Sequence, residues 1–275
     1  MKLLTRTALF LGRILCRFRS ASVVNYFAKL SLEFSRGLNN VDFDMHRNGE
    51  LRMLKILKDH RVHVVFDVGA NVGEWSLLAA QAYEGASIHA FEIMPSTYQI
   101  LLEHCASCKR IQCARLGLSD TAGYIEMHYG EASVVTSAYK IKGMKQHDEY
   151  YQSSMLCATT TGSAYLRETG IDQVDLLKID VEGMDLKVIR GFGERIRHVR
   201  VIQFEYGIFN IGSHDLLYDF WVHLEKHGFK VGKLFPTYVD FVGYHFDLDN
   251  FHGSNYLAVR KDEATLLEAL SSHSK

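Results

Sequence analysis

VVFDVGANVGEWS (residues 64–76) has the pattern of a buried β-strand that ends in an acid, followed by a glycine-rich turn and the start of a helix. Gly69 allows the backbone to turn sharply and to lie against a ligand, and Gly73 allows the start of the helix to pack close to the strand. Asp67 projects from the carboxyl end of the strand, the edge at which open α/β sheets bind ligands. This segment therefore predicts a strand–turn–helix unit with a binding site at the turn.

Strand-like and helix-like segments alternate on both sides of this unit, which is typical of βαβ units in a parallel, doubly wound α/β sheet. The predicted strands are 62–68, 87–92, 111–118, 175–180, 198–205, 230–235 and 256–260, with helices over 49–60, 74–83, 184–192 and 214–227 and one that opens at Pro95. The stretch 121–173 breaks the alternation. We interpret it as an insertion or lid between strands 3 and 4, where loops commonly shape a substrate site.

The overall composition is that of a globular protein with a sizeable core. Apolar residues make up 47% and charged residues 23% of the 275 residues. The formal net charge of −1 provides no overall field that would favour a polyanion, so we expect no nucleic-acid partner. Five cysteines, an odd number, favour a reducing compartment over a disulfide scaffold, and we expect a cytoplasmic protein. The sequence leaves the oligomeric state open.

Residues 1–47 are predicted to form a basic, amphipathic helical extension ahead of an α/β domain over 48–275. The basic residues before the first acid, Glu33, are Lys2, Arg6, Arg13, Arg17 and Arg19. At helical spacing most of these charges share one face, and apolar side chains cover the other. The apolar stretch is too short and too interrupted to span a bilayer or to act as a secretory signal. Three interpretations of residues 2–20 stay open: a helix docked on its own domain, a helix in peripheral contact with a membrane surface, or an organelle presequence.

The glycine-rich turn and Glu92 together indicate a ligand that carries a nucleoside. IHAFE (88–92) places Glu92 at the end of the next strand, where it can accept hydrogen bonds from both ribose hydroxyls. A dinucleotide-binding turn needs Gly-x-Gly-x-x-Gly around a pyrophosphate, and this turn has one glycine fewer. Asp67 would repel a phosphate and suits a cation, and S-adenosylmethionine carries a sulfonium and an ammonium group. The charge favours a methyltransferase, with a nicotinamide-dependent dehydrogenase as the weaker alternative.

A second informative stretch is VDLLKIDVEGMDLKVIRGF (174–192). Its strand is predicted to deliver Lys178, Asp180 and Glu182 to the carboxyl edge of the sheet. Asp180 and Glu182 are two residues apart, so on an extended strand both would point the same way. The alternative is that the two acids cap the following helix and interact with its dipole, which accounts for Glu182 but leaves Asp180 and Lys178 unexplained.

With these stretches in place, the sequence resembles the FkbM-type family of S-adenosylmethionine-dependent methyltransferases. The resemblance spans about residues 48–260 and is carried by DVGANVG (67–73), FE and Pro95 (91–95), GLSD (117–120), LLKIDVEGMDLKVIRG (176–191), QFEYG (203–207) and NYLAV (255–259). It implies a Rossmann-like, doubly wound, seven-stranded methyltransferase sheet. It also implies S-adenosyl-L-methionine as cofactor and O-methylation of a hydroxyl on a small-molecule or glycan acceptor, such as a sugar, a glycan or a polyketide.

The resemblance also assigns roles to individual residues. It implies that Asp67, Gly69, Asn71 and Gly73 cradle the methionine end of the cofactor and that Glu92 binds the ribose. Near the adenine it places Ser119 and Asp120, and facing the methyl group and the acceptor it places Asp180 and Glu182.

One segment departs from the family pattern. Members often carry a Leu-Asp pair at the start of the helix before the fourth strand, and this chain has Thr159-Thr160-Thr161-Gly162-Ser163 there. The departure keeps open a second hypothesis, a non-catalytic binding protein that has retained the fold.

The candidate catalytic residues are Asp180, Glu182 and Glu205, with His245 and His252 as weaker candidates for the base that takes the hydroxyl proton. No metal ligand is assigned. Convergence of the three acids on Mg²⁺ stays an open alternative, because an acid cluster can polarise a hydroxyl through such an ion. A zinc-like local spacing occurs at His104, Cys105, Cys108 and Cys113, but no second knuckle lies nearby, so ordinary cysteines at a helix end are favoured.

Overall fold

The computed structural model describes residues 2–130, 136–143 and 151–273. The chain divides into two compact units, Met1–Asp42 and Phe43–Lys275. The division lies five residues before the predicted boundary between residues 47 and 48. The N-terminal unit contains helices α1 (Lys2–Leu15) and α2 (Ser22–Leu38), with a short 3₁₀ turn (Cys16–Phe18) between them. Among the described residues, no helix is long and apolar enough to cross a membrane.

The second unit contains all the strands and the remaining helices of the described chain. The strands are β1 (Val64–Val68), β2 (Ser87–Phe91), β3 (Ile111–Ala114), β4 (Gly117–Ser119), β5 (Gly123–Tyr129), β6 (Ser153–Thr161), β7 (Val174–Ile179), β8 (Val199–Tyr206), β9 (Phe229–Leu234), β10 (Val239–Asp240) and β11 (Ser254–Arg260). The helices are α3 (Glu50–Lys58), α4 (Glu74–Ala82), α5 (Pro95–Cys105), α6 (Gly162–Thr169), α7 (Asp185–Gly191), α8 (Asn210–Ser213), α9 (Leu217–Lys226) and α10 (Ala264–Ser271).

The large sheet has the strand order β10-β9-β11-β8-β7-β1-β2-β3. Strands β8, β7, β1, β2 and β3 run parallel, whereas β11 is antiparallel to both of its neighbours. The predicted doubly wound α/β fold is confirmed, but the predicted number of seven strands was wrong for the described residues. The sheet has an eighth strand, because the two-residue β10 turns back and pairs with the end of β9.

The predicted third strand over 111–118 is in fact two strands in different sheets. Strand β3 ends at Ala114, and β4 belongs to a small sheet of order β4-β6-β5. The split follows from hydrogen bonding at the edge, since the Ala114 carbonyl accepts from the amides of Glu92 and Leu116 and the chain turns there. The predicted insertion over 121–173 contributes β5, β6 and α6, while its segments 131–135 and 144–150 lie outside the described residues.

Helices cover both faces of the large sheet, as a doubly wound fold requires. On one face, apolar side chains of α6, α7 and α9 pack against the strands, and on the other face those of α3, α4, α5 and α10 do so. Strand β7 lies at the centre and is buried along its whole length. The central parallel strands are therefore covered on both faces, and their carboxyl ends meet at one edge.

Candidate active site

The carboxyl ends of β1, β2 and β7 border a cavity of about 250 Å³. Its lining includes Gly69, Ala70, Asn71, Trp75, Phe91, Glu92, Leu118, Lys178, Asp180 and Glu182. The cavity thus lies where open α/β sheets bind their ligands. Five of the predicted site residues line it together: Gly69, Asn71, Glu92, Asp180 and Glu182.

The turn after β1 passes close to the turn after β7. Gly69 has a φ of +83°, and a Cβ at this position would lie 1.9 Å from the carbonyl oxygen of Asp180. The amides of Gly69 and Ala70 both donate to the carbonyl of Phe91, which ties the turn to the end of β2. Asn71 follows in a left-handed conformation, with a φ of +50°. Only glycine fits at position 69, because its backbone conformation and its neighbour both exclude a side chain.

Replacing Gly69 with alanine is expected to lower the free energy of unfolding by about 1–3 kcal/mol or more, because it combines left-handed strain with a clash against the backbone. Urea denaturation of the full chain measures this change. Gly85→Ala is the matched control, since a Cβ there has no heavy atom within 4 Å and Gly85 lacks a positive φ. Equal stabilities of the two variants would contradict the packing described for the turn.

Glu92 lies at the end of β2 with its carboxylate at the cavity. Its Oε2 accepts from the amide of Asn71 at 3.0 Å, and its Oε1 accepts from the amide of Met94 at 2.8 Å. Burial raises the pKa of Glu92, and the two amide hydrogen bonds oppose that shift. Each carboxylate oxygen has acceptor capacity left, so the held carboxylate can accept two further hydrogen bonds.

Asp67 is fully buried and does not line the cavity. Its Oδ2 accepts from the Ser76 hydroxyl at 2.6 Å, and its Oδ1 lies 3.5 Å from Nζ of Lys178. The same lysine also pairs with Asp180 at 3.3 Å. Within the described chain, Lys178 therefore lies between Asp67 and the cavity. The predicted effect of Asp67 on the methionine end of a cofactor would then be indirect, exerted through Lys178.

The turn after β7 presents Asp180 and Glu182 to the cavity. Strand β7 ends at Ile179, and Glu182 adopts a left-handed conformation with a φ of +53°. The alternation that would point both acids the same way on an extended strand therefore does not apply, because the chain already turns at Glu182. The hydroxyl of Ser137 donates to the Glu182 carbonyl at 3.0 Å and helps to fix this turn. The cap of α7 is Met184, without a side-chain hydrogen bond, so neither acid caps that helix.

Four carboxylates, those of Asp180, Glu182, Asp185 and Glu205, lie close together at the start of α7. Glu182, Asp185 and Glu205 border a second, much smaller cavity beside the main one, whereas Glu205 does not line the main cavity. Burial, followed by repulsion from Asp180 and other acids of the cluster, raises the pKa of Glu182 and Glu205 well above the usual range. The cluster can therefore hold protons at pH values where an exposed carboxyl is ionised.

Asp185 provides a test of this proton binding. Burial, and then repulsion from Asp180, raises the pKa of Asp185 to about 7, against about 4 in the unfolded chain. The folded state then binds the extra proton between about pH 4 and about pH 7, so this residue lowers stability as the pH rises through that window. In Asp185→Asn, which keeps an acceptor for the Glu205 amide, we expect stability relative to the wild type to increase from pH 4 to pH 7. A difference that stays constant with pH would contradict the raised pKa.

The remaining predicted cofactor residues lie behind the cavity wall. At Gly73, a Cβ would lie 2.7 Å from Cδ1 of Leu101, so this glycine lets α4 approach α5. Ser119 is buried and donates to Asp120 at 3.2 Å, and neither residue lines the cavity. The chain before them does so, through Gly117 and Leu118. Their predicted nearness to an adenine stays a prediction.

Sequence reasoning missed Glu50, which lines the cavity and is buried. Its carboxylate accepts from the side-chain amides of Asn48 at 2.7 Å, Gln203 at 2.8 Å and Asn255 at 3.3 Å. Gln203 and Asn255 belong to the QFEYG and NYLAV stretches, so two distant motifs converge on one acid. The signal was present in those stretches, since Gln203 and Asn255 are polar residues within strands that are mostly apolar, and a buried polar side chain needs a hydrogen-bond partner.

The other candidates lie apart from the cavity. His245 is exposed, and neither His245 nor His252 lines the cavity. Within the described ranges, no group of three or more His, Cys, Asp or Glu has the arrangement of a metal site. In the segment that departs from the family pattern, the Thr161 hydroxyl accepts from the Ala164 amide at 3.1 Å and caps α6. An aspartate at the start of a helix can cap it in the same way.

This strand order, with the glycine-rich turn facing an acid at the end of β2, is that of a Rossmann-like methyltransferase fold with a site for S-adenosyl-L-methionine. The family model described as the Methyltransferase FkbM domain matches residues 67–242, and the chain belongs to this family. The predicted family, fold class and cofactor are thereby confirmed.

Several curated proteins are similar to this chain. Methyltransferase sdnD of Sordaria araneosa is 31% identical over 47% of this chain and 60% of its own length. The 31-O-demethyl-FK506 methyltransferase FkbM of Streptomyces tacrolimicus is 30% identical over 50% of this chain and 63% of its own. The 2-O-methyltransferase NoeI of Sinorhizobium fredii is 26% identical over 52% and 63%, respectively. This chain thus spans about three fifths of the length of these relatives.

Proposed function

We propose that this methyltransferase transfers its methyl group to a hydroxyl of a small-molecule or glycan acceptor, such as a sugar or a polyketide. The observation that carries the proposal is that Asp180 and Glu182 line the same cavity as the glycine-rich turn and Glu92. Two of the relatives named above are O-methyltransferases by name. A carboxylate beside the cofactor suits an alcohol, which must lose a proton when it is methylated.

The residues of the cavity fit the cofactor. Gly69 and Asn71 line the cavity at the glycine-rich turn, and Glu92 beside them has acceptor capacity for two ribose hydroxyls. Apolar side chains, including Phe91 and Leu118, offer a wall for an adenine. When bound, S-adenosylmethionine supplies a methyl group attached to a sulfonium. The leaving group would be a neutral thioether, so no acid is needed to protonate it.

Positioning accounts for most of the expected rate enhancement. Holding two reactants in line can lower the barrier by about 7–11 kcal/mol, whereas a general base contributes about 10²–10⁴-fold. We assign the base to Glu182, with Asp180 beside it, because both carboxylates line the cavity; the raised pKa of Glu182 gives its ionised form a greater affinity for the hydroxyl proton. The bound cofactor would supply its methyl group to the acceptor oxygen, and this carboxylate would take up the hydroxyl proton.

The charges of the cavity favour a neutral acceptor over an acidic one. Among the described lining residues, the charged side chains are the acids Glu50, Glu74, Glu92, Asp180 and Glu182 and the single base Lys178. Lys178 is already paired with Asp67 and Asp180. An anionic acceptor would therefore enter a site that is itself negatively charged, and the repulsion disfavours its binding.

Incubation with S-adenosylmethionine that carries an isotopically labelled methyl group tests this function. Methyl glucoside and methyl glucuronide form a matched pair of neutral and acidic sugars, and a hydroxylated macrolide extends the panel. We expect transfer to an oxygen, with the neutral sugar favoured over the acidic one. Glu182→Gln should slow the transfer by about 10²–10⁴-fold, while the exposed change Glu168→Gln on α6 should not. A label found only on nitrogen, carbon or sulfur would overturn the proposal.

A further inference from the structure

The N-terminal unit differs sharply in charge from the rest of the chain. Residues 1–42 contain seven Lys or Arg and two Asp or Glu, a net charge of +5. The remaining residues contain 24 Lys or Arg and 30 Asp or Glu, a net charge of −6. The near-neutral total therefore conceals a strongly basic unit, and a basic unit attracts an anionic surface within a Debye length.

The two helices of this unit are amphipathic, and their apolar sides are exposed. On α2 the apolar side is formed by Val23, Phe27, Leu30, Phe34 and Leu38, each between 52% and 68% exposed. Their spacing of three or four residues places them on one face, opposite Asn25, Lys29 and Arg36. On α1 and the turn after it, Phe10 and Phe18 are about equally exposed. Aromatic and aliphatic side chains opposite a basic face are typical of helices that lie in a membrane surface.

We propose that α1 and α2 together bind the surface of a bilayer that contains anionic lipids, with their apolar faces inserted at the level of the headgroups. The choice of a lipid surface as the partner rests on charge. A second copy of this unit would also carry a net charge of +5 and would repel the first, whereas an anionic lipid surface has the complementary charge. Binding would place the methyltransferase unit where acceptors that partition into membranes are concentrated.

Vesicle flotation with the full chain tests this proposal. We expect binding to vesicles of phosphatidylcholine with phosphatidylglycerol, weak binding to phosphatidylcholine alone, and a loss of binding as salt is added. Phe27→Glu should weaken binding about tenfold or more, because it places a charge at the centre of the inserted face. Asn25→Glu is the matched control on the opposite face of α2, with the same change in charge and a smaller expected effect. Binding of S-adenosylhomocysteine should be unchanged in both variants.

Three results would overturn the proposal. The first is equal binding to neutral and anionic vesicles, and the second is an equal effect of Phe27→Glu and Asn25→Glu. The third is a dimer in light scattering that Phe27→Glu dissociates, together with no binding to vesicles, since that result assigns the apolar face to a second copy of the chain.

Discussion

Replacing Glu92 with alanine should weaken binding of S-adenosylhomocysteine about 100-fold or more. The carboxylate lies at the cavity and accepts hydrogen bonds from the amides of Asn71 and Met94, so its orientation is fixed before a ligand binds. Hydrogen bonds to a charged group contribute about 1.5–3 kcal/mol each, and the loss of two corresponds to a factor of at least 100. The variant also leaves both amides without their acceptor, which loosens the turn.

Calorimetric titration measures this effect, and two further variants separate its causes. Glu92→Gln keeps one carbonyl acceptor and should lie between the wild type and Glu92→Ala. Glu84→Ala is the control, because Glu84 is exposed and lies outside the cavity lining. An affinity of Glu92→Ala within about threefold of the wild type would exclude Glu92 as a binding residue.

Replacing Lys178 with methionine should lower the free energy of unfolding by about 3–5 kcal/mol, because it leaves buried negative charge without its partner. Burial opposes the charge on Lys178, but Asp180, Asp67 and Glu50 outweigh burial and raise its pKa. Methionine keeps most of the length of the chain against Trp75, whose ring lies 5.7 Å from Nζ, so the cavity left is small. The expected loss is therefore mainly electrostatic.

Thermal unfolding measures the change, with a drop in Tm of roughly 6 °C or more for a domain of this size. Lys55→Met is the control, since Lys55 is exposed on α3. The double variant Asp67→Asn with Lys178→Met should recover part of the loss, because the amide can still accept from Ser76 and no longer carries a buried charge. A double variant as unstable as the sum of the two single variants would contradict the pairing of Asp67 with Lys178.

The sequence was sufficient for the fold and for part of the site, and the reasons are physical. The alternation of strands and helices predicted the doubly wound sheet, because each parallel strand must be covered on both faces. Acids at strand ends, Glu92 and Asp180, were correctly expected at the carboxyl edge and line the cavity. These residues are positioned by the strands that carry them, so local pattern is enough to find them.

Residues positioned by distant partners could not be found in this way. Asp67 has the pattern of a ligand-binding acid, but Lys178 from the neighbouring strand shields it, and strand register alone does not reveal side-chain reach. Glu50 was missed because its place in the site depends on Gln203 and Asn255, which are distant in sequence and donate to it across the sheet. The division between β3 and β4 also depends on a partner, since β6, more than 30 residues later, supplies the pairing for β4.

A crystal structure of the chain with S-adenosylhomocysteine tests the central claim most directly, namely that the cavity between the Gly69 turn and the Asp180–Glu182 turn is the methyl-transfer site. We expect both ribose hydroxyls within about 3.2 Å of the Glu92 carboxylate and the sulfur facing the side lined by Asp180 and Glu182. A ligand bound outside this cavity, or a ribose that makes no contact with Glu92, would contradict the account.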